Sequence, residues 1–135
     1  MSSQPDNEPI LNYEVGSKER EDLEKEIASQ LSEIIDIPCI INGEEIYTNN
    51  TVTQVVPHNH KHVLANVHLA GQNEMENACN AAVSAQKAWI ELGLEKRSEI
   101  FEKCADLLAT SWRMKVNAST MLNQSKTVFQ AEIDA

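Results

Sequence analysis

The sequence predicts a mixed α/β chain in which one N-terminal helix and a small hairpin-rich sheet are followed by three to four helices. Three observations carry that prediction. Leu23, Ile27, Leu31 and Ile34 recur at helical spacing and make a narrow apolar stripe. Asn42-Gly43 stands between two β-prone runs, and both positions of a tight hairpin turn need positive φ. From Gln72 onward the apolar period changes from that of a strand to that of a helix.

Taken in order, residues 1–16 contain Pro5, Pro9 and Gly16 and read as an extended arm. Ser17 is placed to cap a helix, with Glu19, Glu21 and Asp22 in its first turn, where the helix dipole favours negative charge. Asp36 and Pro38 are expected to end that helix. Cys39–Ile41 and Glu44–Tyr47 form the arms of the Asn-Gly hairpin, and Thr51–Val56, rich in β-branched residues, reads as a further strand closed by Pro57. Residues 62–69 alternate, with Val63, Ala65, Val67 and Leu69 on one face and Leu64, Asn66 and His68 on the other. Asn73 and Glu76 have capping-box spacing. The next helix presents Met75, Ala78, Cys79, Ala82, Ala85, Gln86 and Trp89 along one face, and Gly93 ends it. Its small side chains suit close packing against another element. A second helix carries Ile100, Phe101, Cys104, Leu107, Leu108 and Trp112, and a third, over 113–123, carries Met114, Ala118, Met121 and Leu122. A last helical pattern starts near Thr127, with Phe129 and Ile133 four apart, and reaches Ala135 without a stop signal. A longer parent chain is therefore expected.

Composition narrows the function. The chain has 135 residues, a formal net charge of −10, and 41% hydrophobic residues, a globular rather than disordered balance. The charge is uneven: residues 1–36 hold ten acids against Lys18, Arg20 and Lys25. An acidic surface makes nucleic acid and anionic membranes poor partners. No apolar run approaches membrane-spanning length. Three cysteines, no C-x-x-C and no secretory leader pattern suit a reducing compartment. The acidic start also lacks the Arg-rich pattern of a mitochondrial transit peptide. The four glycines, Gly16, Gly43, Gly71 and Gly93, lie at least 22 positions apart, so no glycine loop able to cradle a pyrophosphate can form.

Few residues offer chemistry. His58, His60 and His62 form H-x-H-x-H, which on one strand face could bind Zn²⁺ or Cu²⁺. No acid lies between Tyr47 and Gln72, and Pro57 favours a loop, so a polar connection is preferred to a metal site. Cys39, Cys79 and Cys104 sit among apolar residues without an evident base or cation and read as buried structural cysteines. Trp89 and Trp112 fit core or interface packing. Lys126 could meet a phosphate or carboxylate, but a solvated helix-end lysine is the simpler reading.

Three runs together resemble the N-terminal region of the aldehyde dehydrogenase superfamily: Val55-Val56-Pro57-His58-Asn59, the Ala-rich stretch 80–89 ending in Ala88-Trp89, and the stretch 97–108 from Arg97 to Asp106-Leu107-Leu108. Three further segments are similar to its delta-1-pyrroline-5-carboxylate dehydrogenase branch: Asn7-Glu8-Pro9-Ile10-Leu11 with Gly16-Ser17, the stretch 37–45, and the stretch 124–135. The resemblance runs from Asn7 to Ala135. One departure is Ser125, where the family has Gly before the Lys of a G-K-T turn, which puts that turn's geometry in question.

The resemblance implies a parent enzyme that oxidises glutamate-γ-semialdehyde to glutamate with NAD⁺. A thiolate attacks the aldehyde, hydride passes to nicotinamide, and a Glu activates water against the thioester. It also implies that residues 17–135 are the incomplete N-terminal portion of a cofactor-binding domain. The partners implied are the remainder of the enzyme and a homo-oligomer, in the mitochondrial matrix or otherwise the cytoplasm. The family's nucleophile lies in a G-Q-x-C context that none of the three cysteines matches, and its base and dinucleotide contacts lie beyond residue 135. Catalytic, cofactor-binding and metal residues are therefore expected to be none in this chain, which alone should neither bind NAD nor oxidise aldehydes. The alternative is a short acidic α+β interaction or regulatory module derived from such an enzyme.

Overall fold

The computed structural model describes residues 8–134, and the first seven residues of the expected arm lie outside the described residues. Residues 8–16 contain no helix or strand and reach helix α1, Lys18–Ser32. Ser17 caps α1 as its spacing predicts, its Oγ accepting from the Arg20 amide at 3.3 Å, with Glu19 and Glu21 in the first turn. The helix then ends sooner than expected. Glu33 is extended, and Ile35–Ile37 forms strand β1 instead of a last helical turn. The isoleucines at 34, 35 and 37 prefer a pleated backbone, and a parallel partner is at hand. Ile34, which the helical stripe would include, is exposed.

The Asn-Gly hairpin is present as β2, Cys39–Ile41, and β3, Glu44–Ile46, with φ of 54° at Asn42 and 80° at Gly43. Strand β4 is Thr51–Val56 and β5 is Asn59–His68, so β5 begins three residues before the expected start at His62. Pro57 and His58 form the turn between them, and pairing slips at Gln54/Val55 and Val55/Val56. The sheet order is β1-β5-β4: β5 pairs antiparallel with β4 and parallel with β1, aligning Ile35 with Ala65 and Ile37 with Val67. Asn66 Nδ2 also donates to Asp36 Oδ1 across β1 and β5 at 3.0 Å.

Four helices follow: α2, Gln72–Glu91; α3, Gly93–Ala109; α4, Arg113–Gln124; and α5, Val128–Asp134. The cap of α2 is Gly71 rather than Asn73, and its amide donates to Glu74 Oε2 at 2.8 Å. Gly93, at φ 75°, turns the chain from α2 into α3. Ser125 ends α4 in the left-handed region at φ 54°, ψ 33°, which resolves the question of the Ser-for-Gly turn. Its Oγ meets His58 Nδ1 at 2.7 Å, tying that turn to the β4–β5 turn. Thr127 caps α5 reciprocally with Gln130: Gln130 Oε1 accepts from the Thr127 amide at 2.9 Å, and Thr127 Oγ1 accepts from the Gln130 amide at 3.4 Å.

Two apolar clusters make the core. Tyr13, Leu23 and Ala118 pack with Leu11, Ile27, Met114, Met121 and Val128. Val56, Leu64 and Leu122 pack with Ile27 and Leu31. Both lie where α1 and α4 meet, one beneath the arm and the other against the sheet. By contrast, α2 and α3 bury no residue. The hairpin runs beside Ala78, Ala81, Ala82 and Ala85 of α2, across an open groove of about 290 Å³.

Candidate functional site

The densest polar chemistry in the described residues is a cluster that joins the arm to α4 and α5. Its centre is Glu132, whose side chain is 1% exposed, beside Arg113, 11% exposed. The two form an ion pair through Glu132 Oε1 and Arg113 Nη2. Oε1 also accepts from the Leu11 amide at 2.8 Å. Oε2 accepts from the Tyr13 hydroxyl at 2.6 Å and from Asn117 Nδ2 at 2.7 Å. Arg113 Nη2 further donates to the Pro9 carbonyl at 2.6 Å, and Nη1 reaches Glu8 at 3.5 Å. Each of these partners of Glu132 donates to the carboxylate, which suits a buried anion.

These contacts set the ionisation of the cluster. Burial pushes the Glu132 carboxyl upward, but donation from Arg113, Tyr13, the Leu11 amide and Asn117 outweighs it and holds the group below the usual carboxylate range. Burial, reinforced by the Glu132 hydrogen bond and charge, pushes the Tyr13 hydroxyl up to about 12. The Glu132 hydrogen bond raises Arg113 further. With every group held in its resting state, the cluster is chemically a lock rather than an acid–base pair.

Sequence reasoning misses this site, since Tyr13 and Glu132 are 119 positions apart. One signal is present. Arg113 stands at the first residue of α4 and Glu132 near the last of α5, each at the helix end whose dipole disfavours its charge. Such placement asks for a partner. The apolar reading of α5 is also reversed: Phe129 and Ile133 are exposed, while Ala131 and Glu132 are buried.

A second concavity, a cleft of about 390 Å³, lies between α1 and α4 on one side and β1 and β5 on the other. Gln30 bridges its helical wall, donating to the Lys115 carbonyl at 3.0 Å and accepting from Ser119 Oγ at 3.0 Å. Ile35, Ile37, Leu64 and Ala65 line the sheet side. The polar groups of Gln30 and Ser119 are thus spent on the wall itself.

The residues singled out from sequence are scattered. His58 lies in the β4–β5 turn, His60 belongs to β5 and not to the loop expected after Pro57, and His62 lies in β5 where the alternation placed it. The antiparallel pairing carries the strand right up to the turn. No group of three or more potential ligands gathers among the described residues. Cys39 is half-buried and its thiol donates to the His68 carbonyl at 3.3 Å. Cys79 and Cys104 are exposed, against the expectation of burial; the hairpin lies beside Ala78, Ala81, Ala82 and Ala85 of α2, and Cys79 does not line that groove. Trp89 and Trp112 are partly exposed, with Arg97 5.9 Å and Lys115 5.1 Å from their ring centres. Lys126 pairs with Asp134 at 2.6 Å, a contact that closes the turn into α5.

The start of α2 does not fit a dinucleotide's pyrophosphate. It places the Glu74 carboxylate on the Gly71 amide, where a pyrophosphate would need free N–H groups. No helix among the described residues is long and apolar enough to cross a membrane.

Comparison with known proteins matches residues 46–135 to the aldehyde dehydrogenase family. The chain is 45% identical over 131 residues to the mitochondrial delta-1-pyrroline-5-carboxylate dehydrogenase of Dictyostelium discoideum, covering 97% of this chain and 24% of that protein. It is 40% identical to the mitochondrial human enzyme of that name, covering 96% of this chain and 23% of that one. Among solved structures, the delta-pyrroline-5-carboxylate dehydrogenase of Mycobacterium tuberculosis bound with NAD and cobalamin superposes with a TM-score of 0.97 at 40% identity. That match covers 100% of this chain and 26% of the other. The chain thus spans about a quarter of the length of these relatives.

Proposed function

The chain belongs to the aldehyde dehydrogenase family, and we propose that it serves as the N-terminal portion of a dehydrogenase of proline catabolism. The whole enzyme would oxidise L-glutamate-γ-semialdehyde, the open form of pyrroline-5-carboxylate, to L-glutamate. The observation that carries this reading is the end-to-end fit of the described elements, arm included, onto one quarter of such enzymes. NAD, where the complete enzyme binds it, supplies the hydride acceptor. This chain's part is structural: residues 17–135 build one side of the cofactor-binding domain, and the described part of the arm, 8–16, fastens α4 and α5. The exposed apolar faces of α2 and α3 are then the surface laid against the rest of the enzyme. No catalytic, cofactor-binding or metal residue is assigned here. The partners are the remainder of the chain and, for the complete enzyme, further copies of itself. Relatives named as mitochondrial support placement in the matrix.

The test joins residues 1–135 to the remaining three quarters of a relative. The chimera should reduce NAD with the semialdehyde, and the purified 135-residue chain should neither bind NAD nor turn over. Turnover by the short chain alone, or a folded chimera inactive on this aldehyde, would overturn the proposal.

A further inference from the structure

Glu132 is held from two places in the chain: the arm, and α4 through Asn117 and Arg113. The arm's share is specific. Pro9 offers its carbonyl to Arg113, Leu11 its amide to Glu132, and Tyr13 its hydroxyl to the other carboxylate oxygen. Tyr13 adopts φ 53°, a conformation that a bulky side chain rarely accepts without compensation, and its ring is buried in the core. On the other side, α5 has seven residues and is too short to persist unaided. Of those residues only Ala131 and Glu132 are buried. Its hold on the molecule is thus shared between the packing of Val128 and Ala131 and the carboxylate that the arm encloses.

We propose that residues 8–13 are a strap that latches α5 onto α4 through Glu132. The segment is part of the folded unit rather than a dispensable extension. Cleavage before Glu8 leaves the strap's contacts to Arg113 and Glu132 in place. Cleavage after Tyr13 removes those contacts and opens a buried ion pair to water.

Hydrogen exchange tests this on the full chain and on variants lacking residues 1–7 or 1–13, with β5 as internal reference. Loss of 1–7 should leave α5 amides within about twofold of the parent, whereas loss of 1–13 should speed them by about tenfold or more, with β5 unchanged. Tyr13→Phe, which keeps the ring, should speed α5 by about fivefold, the equivalent of one hydrogen bond. In a Glu132→Gln background the same change should add less. Equal α5 protection with and without 1–13 would overturn the strap. So would an effect of removing 1–7 as large as that of removing 1–13. If losing 1–13 unfolds β5 as well, Tyr13→Phe decides, and unchanged α5 exchange in that variant counts against the latch.

Discussion

Both halves of the molecule carry apolar side chains at regular spacing, and they do opposite things with them. In the half made of the arm, α1, the β1-β5-β4 sheet, α4 and α5, Leu23, Val56, Leu64, Ala118 and Leu122 are buried. In the half made of the β2–β3 hairpin, α2 and α3, none is: Phe101 is 67% exposed, Val83 72% and Leu94 74%. The helices of the second half are longer, so length and periodicity do not confer burial. What differs is closure. The first half brings chain segments from both ends back onto one another, while the second is an α-helical pair whose outward face meets nothing among the described residues. Burial in one half and exposure in the other is the arrangement expected where one half is self-contained and the other is an interface.

Four changes would break or sharpen that contrast. The largest should be Arg113→Ala, which strands the buried Glu132 charge; a loss of about 3–5 kcal/mol is expected by denaturant titration. Removing an exposed cation instead, with Lys87→Ala beside Glu91 on α2, should be close to silent. Next, Leu122→Ala should cost about 2–4 kcal/mol. Phe101→Ala should shift the isolated chain by no more than about 0.5 kcal/mol and become costly only in the complete enzyme. Matching losses at the two positions in the short chain would erase the contrast. Third comes pH. Glu132 is held below its ordinary range, so its contribution is present above that range and fades as pH falls through the folded value. Tyr13 is raised from 10.0 to about 12, so its contribution is whole below 10 and is lost as pH climbs toward 12. Acid and alkaline stability slopes should both flatten in Glu132→Gln. The smallest should be Ser125→Gly, a gain of about 0.5 kcal/mol from relieving the left-handed conformation, offset in part by the lost His58 bond.

Much of the fold is legible in the sequence because its signals are local. Ser17 as a cap, Asn42-Gly43 as a turn, the β-branched run of β4, the alternation through β5 and the spacing in α2 to α4 each declare themselves within a few residues. The failures are non-local. Ile34 extends a convincing helical stripe, yet Ile35–Ile37 pairs with residues thirty positions on, and that partner is invisible to a local period. Apolar neighbours argue for burial of Cys79 and Cys104, but an apolar face states only what a helix needs, not whether the same chain meets it. The Glu132 cluster is the hardest to foresee, since its members are spread over the chain and only opposed helix dipoles hint at them. Chemistry is read from a different kind of signal: the wide spacing of the four glycines is the ground for expecting no glycine-rich phosphate loop in this chain.

The span of 119 residues between Tyr13 and Glu132 has a consequence for biosynthesis. A ribosome adding about 5–20 residues per second leaves the arm waiting roughly 6–24 s for its partner to be made. During that interval α1 and the sheet can assemble, but the Tyr13 hydroxyl has no carboxylate to meet. The last local helix to be translated is therefore the one that fastens the first described segment to emerge. Until α5 is made, the seam between α1 and α4 can close while the Leu11 amide and the Tyr13 hydroxyl wait for the Glu132 carboxylate.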